Sequence, residues 1–247
     1  GLHRRQRQDR ALYHAMNMKL EDNVGYHNAD LDKARKRLEK AKAYKDLSTV
    51  WVTPIVGALH HRVVSSWISL QRPMNQRIFG PLFIEGKEVG AAYQAAVEMI
   101  LGHPELSKWK YMLTLEQDNC PPGDGLLKLY ESIDKYDVVS GLYWTKGEAG
   151  MPMVYGHPKS MPKSFAPQIP SVDAVEEWNG LGMGFTLFKI DIFRKLKPPW
   201  FRTVQEHGKC YTQDLFFFEN AGREGFRFAC DSRVKVGHFD AQNNMMW

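Results

Sequence analysis

The sequence predicts an α/β fold in which helices flank a mainly parallel β-sheet. From residue 49 onward, short apolar runs bounded by turn residues alternate with segments of helical periodicity, and this alternation is typical of βαβ units. One of these runs, residues 111–115, ends in two carboxylates, Glu116 and Asp118. The 247-residue chain is 43% hydrophobic and 12% aromatic, which is enough to fill the core of one large domain.

The predicted strands are apolar runs that end at proline, glycine or charged residues. The first run is expected to break at Pro54 and Gly57, because proline removes a backbone donor and glycine favours a turn. A proline-rich segment without periodicity, 145–172, is predicted to be a long loop. Strands are expected over residues 49–57, 77–84, 111–115, 137–143, 185–188, 226–230 and 234–236, and regular structure is expected to resume after the long loop at residues 172–175.

The predicted helices are segments whose apolar residues recur every three to four positions. In the first of them, Val63, Trp67 and Leu70 are spaced for burial on one face. The second contains one glycine and four alanines, which permit close packing against a sheet. Helices are expected over residues 60–70, 88–101, 124–133, 191–196 and from 211 to about 225.

The first 48 residues differ from the rest of the chain in charge. Residues 1–48 hold 12 Lys and Arg against 7 Asp and Glu, while residues 49–247 hold 21 of each. Residues 30–46 predict a helix with one apolar face and otherwise basic surface. We expect a basic helical N-terminal extension, 1–48, followed by the α/β domain, 49–247. The basic helix is either a solvated surface or a site for polyanions such as nucleic acid.

The two carboxylates after residue 115 suggest a metal site. Side chains at i and i+2 of an extended segment point to the same side, so Glu116 and Asp118 are expected to project together. Parallel sheets bind ligands at the carboxyl ends of their strands. Two carboxylate oxygens there suit Mg²⁺ or Mn²⁺, which can hold a diphosphate. The alternative is a strand that becomes acidic where it reaches solvent.

The sequence also favours a protein outside the membrane. No apolar run approaches the ~18 residues of a membrane-spanning helix, and no charged-then-apolar signal segment opens the chain. The three cysteines, Cys120, Cys210 and Cys230, lack the spacing of a metal finger, which predicts a reduced protein in the cytoplasm.

Four features follow one another at recognisable intervals: the acidic segment 116–118, a glycine-rich turn over 180–184, Asp214 at a helix start, and His238 after a strand. Their order resembles that of the GT-A glycosyltransferases, in particular the compact glycosyltransferase-2-like proteins often encoded by phages. The resemblance extends from about residue 49 to residue 240. Its motif blocks are residues 116–129, 172–175 with 182–187, 213–217 and 236–238.

The resemblance implies a GT-A (Rossmann-like) fold and a metal-dependent transfer of a sugar from a nucleotide diphosphate donor, with a UDP-sugar favoured, to a hydroxyl. It places Mn²⁺ or Mg²⁺ on Glu116, Asp118 and His238, and it makes Asp214 the general base. A phage-encoded relative would act in the host cytoplasm. The donor contacts that it implies are Thr53, Pro54, Gly57, Gln94, Gln117 and Gly182.

The chain departs from the family pattern at three places. Gln117 stands between the two acids, Gln213 precedes Asp214 where relatives usually have Glu, and Tyr93-Gln94 replaces a frequent Arg-Asn pair. These changes leave the donor open. The acceptor is open as well: a modified base in DNA reached through residues 1–48, a glycan, or a protein.

Two other functions are compatible with the same fold. A sugar nucleotidyltransferase shares the sheet and the metal chemistry, but it normally has a Gly-rich loop with Arg and Lys after the first strand, which residues 56–59 lack. A non-catalytic module that binds nucleotides or glycans is the second alternative.

Overall fold

The computed structural model describes residues 45–206 and 209–247, together with the isolated positions 36 and 40. Most of the predicted helix 30–46 therefore lies outside the described residues. Lys36 and Lys40 are helical and exposed, whereas positions 45 and 46 are not helical.

Strands and helices alternate along the described chain as predicted. The strands are β1 Thr49–Ile55, β2 Ile78–Glu85, β3 Tyr111–Leu115, β4 Asn119–Cys120, β5 Val138–Leu142, β6 Val154–Tyr155, β7 Val175–Trp178, β8 Gly180–Leu181, β9 Phe185–Lys189, β10 Val204–Glu206, β11 Lys209–Tyr211, β12 Phe228–Lys235, β13 Gly237–Asp240 and β14 Met245–Met246. The α-helices are α1 His61–Ser69, α2 Val89–Gly102, α3 Gly125–Ser132, α4 Asp191–Lys195 and α5 Gln213–Arg223. Within the described part of the chain, no helix is long and apolar enough to cross a membrane.

A seven-stranded sheet in the order β2-β1-β3-β9-β5-β12-β7 forms the centre of the fold. Five of its strands run in one direction, while β9 and β7 run in the other. The predicted mainly parallel α/β sheet is thus confirmed. Because β9 is antiparallel, it begins at the edge where β1, β3, β5 and β12 end.

The sheet is buried on both faces. Val50 and Val52 belong to a cluster with residues of α2, α4 and α5, whereas Trp51 belongs to a second cluster with residues of α1 and α3. Successive side chains of a strand point to opposite faces, so the consecutive apolar residues Val50, Trp51 and Val52 serve both clusters. This explains why the strands appear in the sequence as continuous apolar runs.

Regular structure, expected to resume at residues 172–175, resumes with β7, which begins at Val175. Two strand predictions are wrong. The runs 226–230 and 234–236 form the single strand β12, because its polar residues are bonded: Arg233 and Ser132 satisfy the carboxylate of Asp231. Strand β1 does not break at Pro54. Its pairing with β3 ends at Val52, while its pairing with β2 continues to Ile55. The missing backbone N–H of Pro54 is therefore not needed on the β3 side.

Candidate active site

A cavity of about 320 Å³ opens at the edge of the sheet where β1 and β3 end. Residues from the end of β1, the acidic segment after β3 and the first residues of α2 and α5 surround it. Its lining consists of Pro54, Ile55, Val56, Lys87, Val89, Glu116, Gln117, Asp118 and Gln213. Because open α/β sheets bind ligands at this edge, the cavity is a candidate ligand site.

Asp118 and His238 meet beside this cavity, although 120 residues separate them in the sequence. The His238 Nε2 atom lies 3.3 Å from Asp118 Oδ2. The two-residue strand β4 pairs antiparallel with β13, with Asn119 opposite His238. The Phe239 N–H also donates to the Asp118 carbonyl at 2.7 Å. This backbone pairing holds the two side chains together.

The His238 ring is oriented by the backbone. Its Nδ1 lies 2.7 Å from the Trp144 carbonyl oxygen, and a carbonyl oxygen only accepts, so Nδ1 carries the proton. The Nε2 atom faces Asp118: when it carries a proton it donates to the carboxylate, and when that proton is lost its lone pair is free for a metal ion. Metal-binding histidines are usually oriented in this way, with the second ring nitrogen donating to a carbonyl or a carboxylate.

Asp118 is the ionised member of this group. Burial raises the pKa of its carboxyl, but the hydrogen bonds from His238 and Lys146 outweigh burial, so the pKa lies below the usual range. The Lys146 ammonium is 2.5 Å from the same oxygen, Oδ2. At neutral pH this carboxylate is thus an anionic oxygen ligand next to an imidazole nitrogen.

Glu116 is bonded elsewhere. The Tyr93 hydroxyl donates to Glu116 Oε1 at 2.9 Å, and burial together with the charge of Asp118 raises the pKa of Glu116 to about 7. The i, i+2 argument assumed an extended strand, but β3 ends at Leu115 and the Asn119 N–H donates back to the Glu116 carbonyl. Residues 116–118 therefore form a turn, in which the two carboxylates have different partners.

The residues present fit a divalent metal that two side chains hold. Among the described residues, no group of three or more His, Cys, Asp or Glu side chains is arranged to bind a metal. Asp118 and His238 nevertheless offer one oxygen and one nitrogen from a fixed backbone pairing. Mn²⁺ accepts this mixed pair more readily than Mg²⁺ does, and phosphate oxygens and water complete such sites.

Asp214 lies in the first turn of α5 and is 3% exposed. The Thr212 hydroxyl and the Leu215 N–H both donate to its Oδ1, the latter at 2.9 Å. Burial raises the pKa of Asp214, and these two hydrogen bonds oppose part of that rise. A buried carboxylate with a raised pKa is a stronger proton acceptor than a solvated one.

Tyr143 connects the glycine-rich turn to the pair formed by Asp118 and His238. Its hydroxyl accepts the Gly184 N–H at 2.9 Å, and its ring meets the His238 ring edge-on at 5.6 Å. A Cβ added at Gly182 would lie 2.2 Å from the Tyr143 hydroxyl oxygen. Glycine is needed at 182 because Tyr143 packs against the backbone there.

The structure brings two of the six predicted donor residues to the cavity. Pro54 and Gln117 line it, and the Gln117 side-chain oxygen accepts the Val56 N–H at 2.7 Å. Gly182 lies against Tyr143 instead.

The other three predicted donor residues lie outside the cavity lining. Thr53 is buried, and its hydroxyl donates to the Leu115 carbonyl at 2.8 Å. The Gln94 side-chain oxygen accepts the Trp200 N–H at 2.8 Å. Gly57 is exposed with φ +76. The contacts of Thr53 and Gln94 are those of residues that connect structural elements.

Sequence reasoning missed Lys87, Tyr143 and Lys146. Tyr143 and Lys146 follow β5, whose carboxyl end lies at the ligand-binding edge, so the rule used for Glu116 and Asp118 would also have selected this segment. Lys87 precedes α2 and enters the cavity lining, and no sequence pattern distinguished it from other surface lysines.

No protein-family model matches the chain, and no curated protein sequence matches it. Its structure is similar to the crystal structure of A197 from STIV, with a TM-score of 0.59 and 21% identity, covering 81% of this chain and 92% of that one. It is also similar to GalNAc-T7 crystallised with UDP, GalNAc and Mn²⁺, with a TM-score of 0.53 and 10% identity, covering 78% of this chain and 44% of that one. The chain thus spans less than half of GalNAc-T7. These likenesses show a shared GT-A-like fold.

Proposed function

We propose that this protein is a metal-dependent glycosyltransferase, which transfers a sugar from a nucleotide diphosphate donor to an acceptor hydroxyl. The observation that carries this proposal is the meeting of Asp118 and His238 at 3.3 Å beside a cavity at the ligand-binding edge. A neighbour of the same fold crystallised with UDP and Mn²⁺ supports a UDP-sugar as the donor and Mn²⁺ as the metal.

Asp118 and His238 would hold the metal in this account. When bound, a divalent metal supplies the positive charge that stabilises the leaving diphosphate. The cavity rim at Pro54 and Val56 receives the nucleoside, and Gln117 keeps the ends of β1 and β3 together there. Lys87 contributes a further positive charge to the lining.

Asp214 acts as the general base on the acceptor. Its Oδ1 is engaged by Thr212 and Leu215, so we assign proton acceptance to Oδ2. After burial, the charge of Asp214 contributes to raising the pKa of the Tyr155 hydroxyl and that of Glu116, so the three groups lie in one buried region. A low-dielectric surrounding of this kind strengthens a carboxylate base.

The acceptor that we propose is polyanionic, such as a modified base in DNA. The net charge of +5 arises entirely in residues 1–48, and the two described helical positions there, Lys36 and Lys40, are exposed. In this division the extension binds the acceptor and residues 49–247 bind the donor. Basic segments bind nucleic acid largely through phosphate charge, independently of sequence.

Donor binding tests the metal-dependent site. UDP affinity, measured by calorimetry with Mn²⁺ and then with EDTA, should fall at least tenfold when the metal is removed. Asp118→Ala should bind UDP weakly under both conditions, because it lacks the anionic ligand. The control is Asp134→Ala, which removes an exposed carboxylate paired with Lys45 and should retain the metal effect. Equal UDP affinity of the wild type with Mn²⁺ and with EDTA would refute the proposed site.

A further inference from the structure

Two cationic or basic groups share one oxygen of Asp118. Lys146 Nζ lies 2.5 Å from Oδ2, and His238 Nε2 lies 3.3 Å from the same atom. The side chains of Lys146 and Asp118 are 34% and 30% exposed, and Asp118 lines the cavity, so the pair is partly accessible to solvent. The atom best placed to bind a metal is therefore already paired with a cation of the protein itself.

Lys146 belongs to a turn that is stabilised by hydrogen bonds among other residues of the same turn. The Thr145 N–H donates to the Met151 carbonyl at 2.9 Å, and the Met151 N–H donates to the Thr145 hydroxyl at 2.8 Å. A further bond, from the Gly150 N–H to the Gly147 carbonyl at 2.9 Å, closes the turn, in which Gly147 has φ +103. None of these bonds involves the Lys146 side chain, so it can leave Asp118 without unfolding the turn.

An ammonium and a divalent metal cannot occupy Oδ2 together. Both would approach the same lone pairs, and like charges a few ångströms apart repel strongly in a partly buried site. A lysine ammonium is a compact charge on a flexible stem, with three donors that can be redirected. A diphosphate bound at the cavity would be the nearest new anion for it, since a single divalent metal does not neutralise the whole group.

We propose that Lys146 is an exchangeable counter-ion of the donor site: it pairs with Asp118 in the unliganded protein, gives way to the metal, and then binds the donor diphosphate. The inference rests on the proposed metal-dependent function and adds a residue to the donor site. It predicts two effects of opposite sign. Removing the Lys146 charge should tighten metal binding, because the metal no longer has a competitor, and should weaken nucleotide binding, because the diphosphate has one cationic partner fewer.

Lys146→Met tests both signs, since methionine keeps an unbranched chain without the charge. Bound Mn²⁺ is measured from the decrease of the free-ion signal in electron paramagnetic resonance, without nucleotide. The variant should bind Mn²⁺ about tenfold more tightly than the wild type, because the apparent affinity of the wild type is reduced by the fraction of Asp118 that is paired with Lys146. At saturating Mn²⁺, its affinity for UDP should be about tenfold lower.

Lys108→Met is the matched control. Lys108 forms an exposed pair with Glu105 at 3.1 Å, before β3 and thus at the opposite edge of the sheet, and its replacement should change neither affinity. Unchanged Mn²⁺ affinity in a folded Lys146→Met protein, or unchanged UDP affinity at saturating Mn²⁺, would overturn the exchange. If neither the wild type nor Lys146→Met binds Mn²⁺, the metal site itself is refuted and the exchange with it; melting temperatures confirm folding in each case.

Discussion

Two aspartates of this protein pair with cations in contrasting ways. Asp231 is fully buried in β12, where Arg233 donates to both of its oxygens at 2.9 and 2.7 Å and the Ser132 hydroxyl donates at 3.0 Å. Asp118 is 30% exposed, faces a cavity, and contacts Lys146 and His238 through one oxygen. Each oxygen of Asp231 has a hydrogen-bond partner, whereas Asp118 is paired with a lysine that another cation can replace.

This difference distinguishes a structural ion pair from a candidate functional one. The planar guanidinium fits a carboxylate through two bonds and stays charged, so the Asp231 pair stabilises one conformation of β12. The single bond from a flexible lysine costs little to break when another cation arrives. An ion pair within a candidate site therefore indicates function when its geometry allows another cation to replace the one that is already paired.

The largest effect is expected at Asp214, which shares burial with Asp231 but lacks a cationic partner among the described residues. Asp214→Asn keeps a side chain that accepts hydrogen bonds at the helix start, so the free energy of unfolding should change by less than about 1 kcal/mol. Turnover of a UDP-sugar should fall by about 10²–10⁴-fold, because a general base is removed. Retained turnover in a folded Asp214→Asn protein would assign this residue to the structure of the first turn of α5.

The two ion pairs themselves should respond differently to deletion. Asp231→Ala should lower the free energy of unfolding by about 4 kcal/mol, because it leaves Arg233 and Ser132 without their buried acceptor. Asp118→Ala should cost less than about 1 kcal/mol, because Lys146 can be solvated where it lies. Urea unfolding monitored by circular dichroism gives both values. A decrease in stability at Asp118 as large as that at Asp231 would make both pairs structural.

Glu116, two residues before Asp118, is expected to make the stability of the protein depend on pH. Its pKa is raised from 4.5 to about 7, so the folded protein keeps a proton that the unfolded chain releases at lower pH. Between about pH 4.5 and 7 the folded state binds more protons, and stability therefore falls as pH rises through that window. At one pKa unit per 1.36 kcal/mol, the contribution of Glu116 amounts to roughly 3 kcal/mol at most.

Glu116→Gln isolates this contribution, because the amide oxygen can still accept from Tyr93 while the side chain no longer titrates. Unfolding in EDTA should show a flatter pH profile between about pH 4.5 and 7 for this variant than for the wild type. Glu105→Gln, at an exposed residue, is the control and should leave the profile as it is. Parallel profiles of Glu116→Gln and wild type would mean that Glu116 is ionised throughout.

The smallest effect is expected from shortening the N-terminal extension that precedes the α/β domain. Removing residues 1–44 keeps the hydrogen bonds of Lys45 and Leu47 with Gln76, so UDP affinity and stability should change little. Binding to duplex DNA should weaken and depend less on salt, with a slope that falls by roughly 0.9 for each phosphate that the extension no longer neutralises. Unchanged DNA binding at every salt concentration would remove the reason for proposing a nucleic-acid acceptor.

Much of the fold was predictable, because apolar runs and helical periodicity report burial directly. The direction of a strand is not encoded in that pattern, which is why the antiparallel β9 in the centre of the sheet was not anticipated. The continuous β12 was divided because Asp231 and Arg233 look like turn residues until their mutual hydrogen bonds are known.

The candidate site was predictable in part. Asp118, His238 and Asp214 were selected by motif order, and the structure places the first two in contact. Their meeting depends on the pairing of β4 with β13, over two residues, which is too short to produce a sequence pattern. Lys146 lies in a segment without periodicity, and the partners of Glu116 and Gln94 come from elements distant in the chain.

The central claim is that Asp118 and His238 hold the metal that binds the donor diphosphate. Pulsed electron paramagnetic resonance on the complex with Mn²⁺ and UDP tests it most directly, since nuclei of bound atoms couple to the Mn²⁺ spin. The account predicts coupling to one imidazole nitrogen and to phosphorus in the wild type, and disappearance of the nitrogen coupling alone in His238→Asn at saturating Mn²⁺. A wild-type complex with phosphorus coupling but without nitrogen coupling would contradict it.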